Sequence, residues 1–221
     1  MAPHHKSPAA GKFPRAFEFP RQLSENPNNV VVGLVRDKAT TDKKKTVDVV
    51  ASILKGSLNH LIANAAYISK SSQYDPIGVL HVEAKKDSKE LEADLLETFQ
   101  TNMIGNVHLF TLYTPLILKG RAKKVITISS GLGDMDLARE YKLALSTPYS
   151  ISKTAMNATA EQLKPILEQA AAFKQYSPRC NGPVAPAESA GKIILQVNKA
   201  SLETGYGGEF ISHLGKGEKW L

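Results

Sequence analysis

Residues 124–153, KVITISSGLGDMDLAREYKLALSTPYSISK, contain the strand and the helix start around which the rest of this chain is predicted to fold. The segment opens with the apolar, mostly β-branched run Val125–Ile128, which is typical of a strand buried in a parallel sheet. Two serines follow this run directly. Further along, Pro148 favours a helix that begins close to Tyr149, because proline is tolerated in the first helical turn. The segment therefore predicts a buried strand, a polar connection and a helix.

Tyr149 and Lys153 are four residues apart, which places the phenol and the ammonium one turn apart on the same face of the predicted helix. A cation about 4 Å away, at an effective dielectric constant of about 20, favours a phenolate by roughly 4 kcal/mol and lowers the pKa of a tyrosine, ordinarily about 10, by about 3 at most. Tyr149 would then exchange protons near neutral pH. The same spacing also occurs on ordinary helix surfaces, so the pair alone does not define a site.

A strand that ends in serine, followed by Tyr-x-x-x-Lys at a helix start, resembles the active site of the short-chain dehydrogenase/reductase family. The segments ISSGLGD (residues 128–134) and YSISK (residues 149–153) are similar to its carbonyl-reductase-like, fungal-type members. The resemblance extends over roughly residues 21–221. It implies an NADPH-dependent oxidoreductase that interconverts a carbonyl and an alcohol on a small-molecule substrate.

The resemblance also implies catalytic roles for four residues: Ser130, Tyr149, Lys153 and Asn102. Tyr149 would protonate the carbonyl oxygen or accept the proton of the alcohol, and Lys153 would lower its pKa. Ser130, preferred to its neighbour Ser129, would hydrogen-bond the substrate oxygen. Asn102, in the setting Asn-x-x-Gly, would connect a water molecule to the lysine.

The family further implies the residues that would bind the cofactor: Arg36, Asn64, Ala65, Tyr149 and Lys153. Asn64 and Ala65 resemble the family's Asn-Ala-Gly turn, with Ala66 in place of the usual glycine. Lys153 would hold the ribose hydroxyls of the nicotinamide half. Arg36 would meet a 2′-phosphate through the charge and fork geometry of its guanidinium, so NADPH is expected in preference to NADH.

Four apolar segments predict strands: Val30–Val35, Leu58–Ala63, Val125–Ile128 and Glu209–Ser212. Helical segments separate them: Thr40–Leu54, a long helix capped by Asp87 and Glu90, a helix after Lys153 interrupted at Pro165, and Glu188–Lys199. Strands separated by helices pair in parallel through right-handed crossovers. We therefore expect an α/β fold with a mostly parallel sheet of about four strands in the order of these segments. The resemblance implies that this sheet is a truncated Rossmann-like, doubly wound one.

Polar residues follow three of the predicted strands: Arg36, Asn64 and the two serines. In parallel strands these positions lie at one edge of the sheet, where open α/β sheets bind ligands. A ligand site at this edge is expected without any reference to the family.

Three parts of the family pattern are missing. Residues 1–28 contain one glycine, Gly11, and no apolar strand, so no glycine-rich turn is predicted to receive a pyrophosphate. Only 27 residues separate Arg36 from Asn64, too few for the family's extra strand, and no strand is predicted after the Tyr149 helix. These gaps leave an alternative open: a catalytically impaired, truncated relative that acts as a binding scaffold or pseudoenzyme, or an incomplete gene model.

The composition is that of an ordinary globular chain, with 42% hydrophobic and 22% charged residues among 221. No apolar run is long enough to span a membrane, and the amino terminus lacks the apolar core of a secretion signal. The single cysteine, Cys180, excludes an internal disulfide and fits a reducing compartment, so a cytoplasmic protein is expected. The net charge of +7 is scattered, so we expect no nucleic-acid partner, and no metal site is predicted either.

The proline-rich residues 1–20 predict a disordered or loosely packed tail. Residues 21–221 predict a single domain, and the resemblance implies that it is an NAD(P)-binding, Rossmann-like one. Its oligomeric state stays open, although family members often form homodimers through two long helices.

Overall fold

The computed structural model describes residues 14–34, 43–70, 72–74, 76, 88–168, 174–177, 186–200, 210–212 and 215. Helices and strands alternate along these residues. The helices are α1 (Pro14–Leu23), α2 (Lys43–Ile53), α3 (Ser88–Phe99), α4 (Gly105–Lys119), α5 (Met135–Glu140), α6 (Thr147–Glu168) and α7 (Pro186–Lys199). The strands are β1 (His60–Ala63), β2 (Lys124–Ile128), β3 (Lys174–Ser177) and β4 (Phe210–Ser212). A π-helical turn, Gln100–Ile104, joins α3 to α4, and a 3-10 turn, Gly131–Gly133, follows β2.

The four strands form one parallel sheet in the order β1-β2-β3-β4. In this sheet Leu61 lies opposite Val125, and Ile126 lies opposite Lys174. The predicted α/β class, with about four parallel strands, is therefore confirmed. Because all strands run the same way, their carboxyl ends meet at one edge of the sheet.

One predicted strand is wrong, and one strand of the sheet was not predicted. Residues 30–34, the described part of the predicted first strand, form no strand, and within the described residues β1 pairs only with β2. A strand needs a neighbour for its backbone donors and acceptors, and residues 30–34 have none among the described residues, although Val32 packs against the core. Conversely, β3 forms between β2 and β4 from the polar segment KQYS, where no strand was predicted.

Helices cover both faces of the sheet. On one face, Val125 of β2 and Leu61 of β1 pack with buried side chains of α2, α4 and α6. On the other face, Ile126 and Ile128 of β2 pack with buried side chains of α1 and α7. The alternation of the β2 side chains between the two clusters produces the doubly wound architecture.

Two boundaries differ from those predicted. The tail was expected to reach residue 20, but residues 14–20 lie in α1, whose Phe19 is buried against α7. Helix α6 continues through Pro165 to Glu168, because buried Ala160 and Leu163 hold this part of the helix on the core. No helix within the described ranges is long and apolar enough to cross a membrane.

Candidate active site

The carboxyl end of β2 presents two serines with different surroundings. Ser129 is buried, and its hydroxyl donates to Oδ1 of Asn157 on α6 at 2.5 Å. Ser130 is half-buried and caps the 3-10 turn, where its Oγ accepts the N–H of Leu132 at 3.3 Å. Ser130 is therefore the serine of this pair whose hydroxyl stays partly open to solvent.

Helix α6 holds the turn after β2 in place. Asn157 Nδ2 donates to the carbonyl oxygen of Gly133 at 3.0 Å, and Thr154 Oγ1 donates to the same oxygen at 3.2 Å. A Cβ at Gly133 would lie 2.8 Å from Cβ of Lys153, so the backbone of the turn approaches the helix as closely as glycine permits. This contact fixes the distance between the serine-bearing turn and the first turns of α6.

Tyr149 and Lys153 lie together on α6, as their spacing predicted. Nζ of Lys153 is 5.7 Å from the centre of the Tyr149 ring, a distance at which an ammonium is attracted to the ring face. The Lys153 side chain is 1% exposed, and its ammonium donates to the carbonyl oxygen of Ile128 at 2.7 Å. Ile128 ends β2 two residues before Ser130, so the ammonium connects the helix to the strand end.

Asn102 lies at the centre of the π-helical turn and is completely buried. Its Oδ1 accepts the backbone N–H of Tyr67 at 2.7 Å, and its Nδ2 donates to the carbonyl oxygen of Tyr67 at 2.8 Å. The same Nδ2 donates to Oγ of Ser152 on α6 at 2.9 Å. Single π-helical turns often occur at functional sites, and this one turns an amide into the space between the β1 loop and α6.

The loop after β1 is fixed at two further points. The Ser72 hydroxyl donates to a carboxylate oxygen of Asp94 on α3, and the Ser146 hydroxyl donates to the carbonyl oxygen of Gln73. Desolvation, together with the negative charge of Glu97, raises the pKa of Tyr67 in this loop. The Tyr67 phenol is therefore kept protonated and is a poor candidate for proton exchange.

The predicted cofactor residues are only partly described. Asn64 is half-buried and Ala65 is exposed at the carboxyl end of β1, beside the end of β2. Arg36 lies outside the described residues. The structure thus brings Tyr149, Lys153, Asn102 and the turn that Ser130 caps to one edge of the sheet. Asn64 and Ala65 lie directly after the neighbouring strand β1.

Sequence reasoning missed two polar residues of α6, Ser152 and Asn157. Ser152 lies inside the motif YSISK, and Asn157 follows Lys153 by four residues, which places it on the same helix face. These spacings were the only signals available, because the partners of both residues belong to distant segments of the chain.

The residues at this edge could hold the nicotinamide half of a dinucleotide. The Tyr149 phenol and the Lys153 ammonium lie together, and the ammonium contacts the end of the strand that Ser130 follows, so these groups could bind the hydroxyls of a cofactor ribose. The described ranges contain no glycine-rich turn open to the pyrophosphate half. The space beside Gly131 is already occupied by Leu137, and the space beside Gly133 by Lys153. The outer edge of β1 also has no neighbouring strand among the described residues.

Comparison with known sequences points to one family. The sequence profile for short chain dehydrogenases matches residues 15–171. Short chain dehydrogenase virK of Hypocrea virens is 38% identical over 262 residues, covering 93% of this chain and 95% of that relative. This alignment is longer than the 221 residues of the chain itself, so the relative contains residues with no counterpart here.

Comparison with solved structures supports the fold. The NADPH-bound carbonyl reductase from chicken fatty liver matches with a TM-score of 0.65 and 22% identity, over 92% of this chain and 82% of that chain. The carbonyl reductase Sniffer of Drosophila melanogaster matches with a TM-score of 0.65 and 22% identity, over 91% of this chain and 82% of that chain. Both share the Rossmann-like fold with this chain.

Proposed function

Because this chain belongs to the short-chain dehydrogenase/reductase family, we propose that it is an NADPH-dependent oxidoreductase that interconverts a carbonyl compound and the corresponding alcohol. The observation that carries the proposal is the Lys153 ammonium, buried at the end of β2 and 5.7 Å from the centre of the Tyr149 ring. A buried cation beside a phenol stabilises the phenolate and so favours proton exchange by the tyrosine.

Each catalytic residue has a separate role in this proposal. Bound NADPH would supply the hydride that reduces the carbonyl carbon. Tyr149 gives its phenolic proton to the carbonyl oxygen in reduction and takes the alcohol proton in the reverse direction. Lys153 stabilises the phenolate by its charge and, with Tyr149, holds the ribose hydroxyls. Ser130 donates a hydrogen bond to the substrate oxygen. Asn102 connects a water molecule to Lys153, and its side chain also fixes the loop after β1 against α6.

The preference for NADPH rests on Arg36, which we propose receives the 2′-phosphate, while Asn64 and Ala65 line the nicotinamide side. A cofactor-bound relative of the same fold, the chicken carbonyl reductase, is NADPH-bound. The net charge of +7 also favours the approach of an anionic cofactor. The single cysteine supports a cytoplasmic location as part of the same proposal.

A second candidate function is a binding scaffold or pseudoenzyme. It is favoured by the outer edge of β1, which has no neighbouring strand, and by the missing glycine-rich cradle, both within the described residues. The two candidates differ in one property: the reductase must bind NADPH, whereas the scaffold need not.

NADPH titration followed by cofactor fluorescence and melting temperature separates the candidates. At about 100 times its dissociation constant, a ligand that binds only the native state stabilises it by about 2.7 kcal/mol. We expect saturable fluorescence and a raised melting temperature. An unchanged melting temperature at millimolar NADPH would leave only the scaffold.

Tyr149→Phe tests the catalytic role directly. The variant retains the ring above Lys153 but has no hydroxyl, so we expect turnover of carbonyl substrates to be lost while NADPH binding persists. Tyr141→Phe, which removes the hydroxyl of an exposed tyrosine eight residues earlier, serves as the matched control and should keep full activity. Equal turnover in the two variants would reject Tyr149 as the proton donor.

A further inference from the structure

Ser152 connects the loop after β1 to the first turn of α6. It is completely buried, one residue before Lys153. Its Oγ accepts Nδ2 of Asn102 at 2.9 Å and donates to the carbonyl oxygen of Tyr149 at 2.7 Å. An unbroken series of hydrogen bonds therefore runs from the Tyr67 backbone through Asn102 and Ser152 to the Tyr149 backbone.

The donor and the acceptor of every hydrogen bond in this series are fixed by the backbone groups at its two ends. The backbone N–H of Tyr67 can only donate, so its partner on Asn102 is the amide oxygen. The amide nitrogen must then point toward Ser152, where it can only donate. The Ser152 hydroxyl is consequently left to donate its own proton to the carbonyl oxygen of Tyr149. No alternative orientation of the amide satisfies both Tyr67 atoms.

We propose that Ser152 is a positioning residue, which fixes the Tyr149–Lys153 turn relative to the loop after β1. This inference rests on the proposed reductase function. In a helix the Tyr149 carbonyl also accepts the backbone N–H of Lys153, so the Ser152 hydroxyl acts on the peptide group that sets the separation of the two catalytic side chains. Ser152 acts through Asn102 and Tyr149 and has no direct role in proton exchange.

Ser152→Ala removes one of the two acceptors of Asn102 Nδ2 and one donor to the Tyr149 carbonyl. We expect kcat to fall by about tenfold or more, because a small displacement of a catalytic group has a large effect on rate. We expect KM for the carbonyl substrate to change by less than about threefold, because no substrate contact is removed. The side-chain amide protons of Asn102, followed by NMR, should exchange faster with solvent. Ser152→Thr, which restores a hydroxyl, should recover most of kcat.

Thr159→Ala is the matched control. It also removes a hydroxyl from α6 that donates to a backbone carbonyl of the same helix, Ala155 at 2.9 Å, and it lies two turns further from the site. Its kcat should equal that of the wild type. If Ser152→Ala does not fold, Ser152→Cys replaces it, since a thiol keeps the volume but donates weakly, and the same fall in kcat is expected.

The outcomes distinguish the inference from the function on which it rests. A wild-type chain that binds NADPH but reduces no carbonyl compound overturns both. If the wild type is active, and Ser152→Ala has the same kcat and the same Asn102 amide exchange as Thr159→Ala, the positioning role alone is overturned. A fall in kcat that Ser152→Thr does not recover, accompanied by an equal rise in KM, also overturns it, because general disruption of the site would then explain the loss.

Discussion

Gly133 is the residue at which the turn after β2 meets α6 without room for a side chain. An added Cβ would lie 2.8 Å from Cβ and 3.0 Å from the carbonyl carbon of Lys153, and the backbone atom cannot rotate away. We expect Gly133→Ala to lower the free energy of unfolding by about 1–3 kcal/mol. Turnover should fall as well, because the Ser130 turn is pushed away from Lys153. Urea denaturation and steady-state kinetics measure the two effects.

Gly33→Ala is the control for this substitution. No atom of the described residues lies within 4 Å of a Cβ at Gly33, so the free energy of unfolding should stay within about 0.5 kcal/mol of the wild type. Equal destabilisation by the two alanines would show that loss of glycine, rather than the contact with Lys153, is responsible.

At the scale of single residues, the sequence predicted what local geometry controls. Tyr149 and Lys153 meet because four residues make about one helical turn, which any helix of this sequence would reproduce. Asn102 and Ser152 are 50 residues apart, and Asn102 and Tyr67 are 35 apart. These contacts depend on how the helices and the β1 loop pack, so no spacing in the sequence could reveal them.

At the scale of elements, β1 places a histidine beside a lysine of β2. His60 and Lys124 are partners in the parallel register, so their side chains lie on the same face of the sheet. Although part of the His60 side chain is open to solvent, desolvation of the rest of the ring and the charge of Lys124 lower the pKa of His60. The folded state therefore favours neutral His60.

This shift predicts a loss of stability in mild acid. The unfolded chain binds a proton at His60 below about pH 6.5, whereas the folded chain binds this proton only at a lower pH. The contribution of neutral His60 is thus present above pH 6.5 and is lost as the pH falls through the folded-state pKa. We expect the melting temperature of His60→Gln to fall less than that of the wild type between pH 7.5 and 5.5.

His108→Gln provides the comparison, because His108 is an exposed histidine on α4. Its melting temperature should follow the wild-type pH dependence. If His60→Gln follows the same curve, the acid sensitivity does not come from the β1–β2 pair.

The strands differ in how far their sequences predicted them. Segment Val125–Ile128 became β2 because an apolar run buried on both faces is recognisable in any context. Residues 30–34 have an equally apolar sequence but no neighbouring strand in the part of the chain that the structure describes. The polar Lys174–Ser177 has a neighbour on each side and forms β3. A segment becomes a strand only when it pairs with a neighbouring strand, and this pairing depends on the assembled sheet.

At the scale of the whole molecule, α1 is part of the hydrophobic core on the face of the sheet that α7 also covers. Phe19 is 4% exposed and packs in the cluster formed by Ile126 and Ile128 of β2 with residues of α7. We propose that the domain begins at α1 rather than at residue 21. Phe19→Ala should lower the free energy of unfolding by about 3–5 kcal/mol, because it removes a large buried side chain and leaves a cavity.

Val30→Ala is the control for this change. Val30 is 68% exposed, so its truncation should alter the free energy of unfolding by less than about 0.5 kcal/mol. A Phe19→Ala variant with the stability of Val30→Ala would mean that α1 does not contribute to folding, and that the tail extends as far as the sequence predicted.

The amino-acid sequence by itself determined the α/β class, the buried strand β2, the pairing of Tyr149 with Lys153 and the serine pair at the strand end, because each follows from side-chain periodicity within one segment. Only the tertiary structure decided that residues 30–34 pair with no other described strand, that a polar segment becomes β3, and that Ser152 joins Asn102 to Tyr149. The physical reason is the same in each case: a backbone or side-chain hydrogen bond needs a partner, and the partner comes from a distant part of the chain.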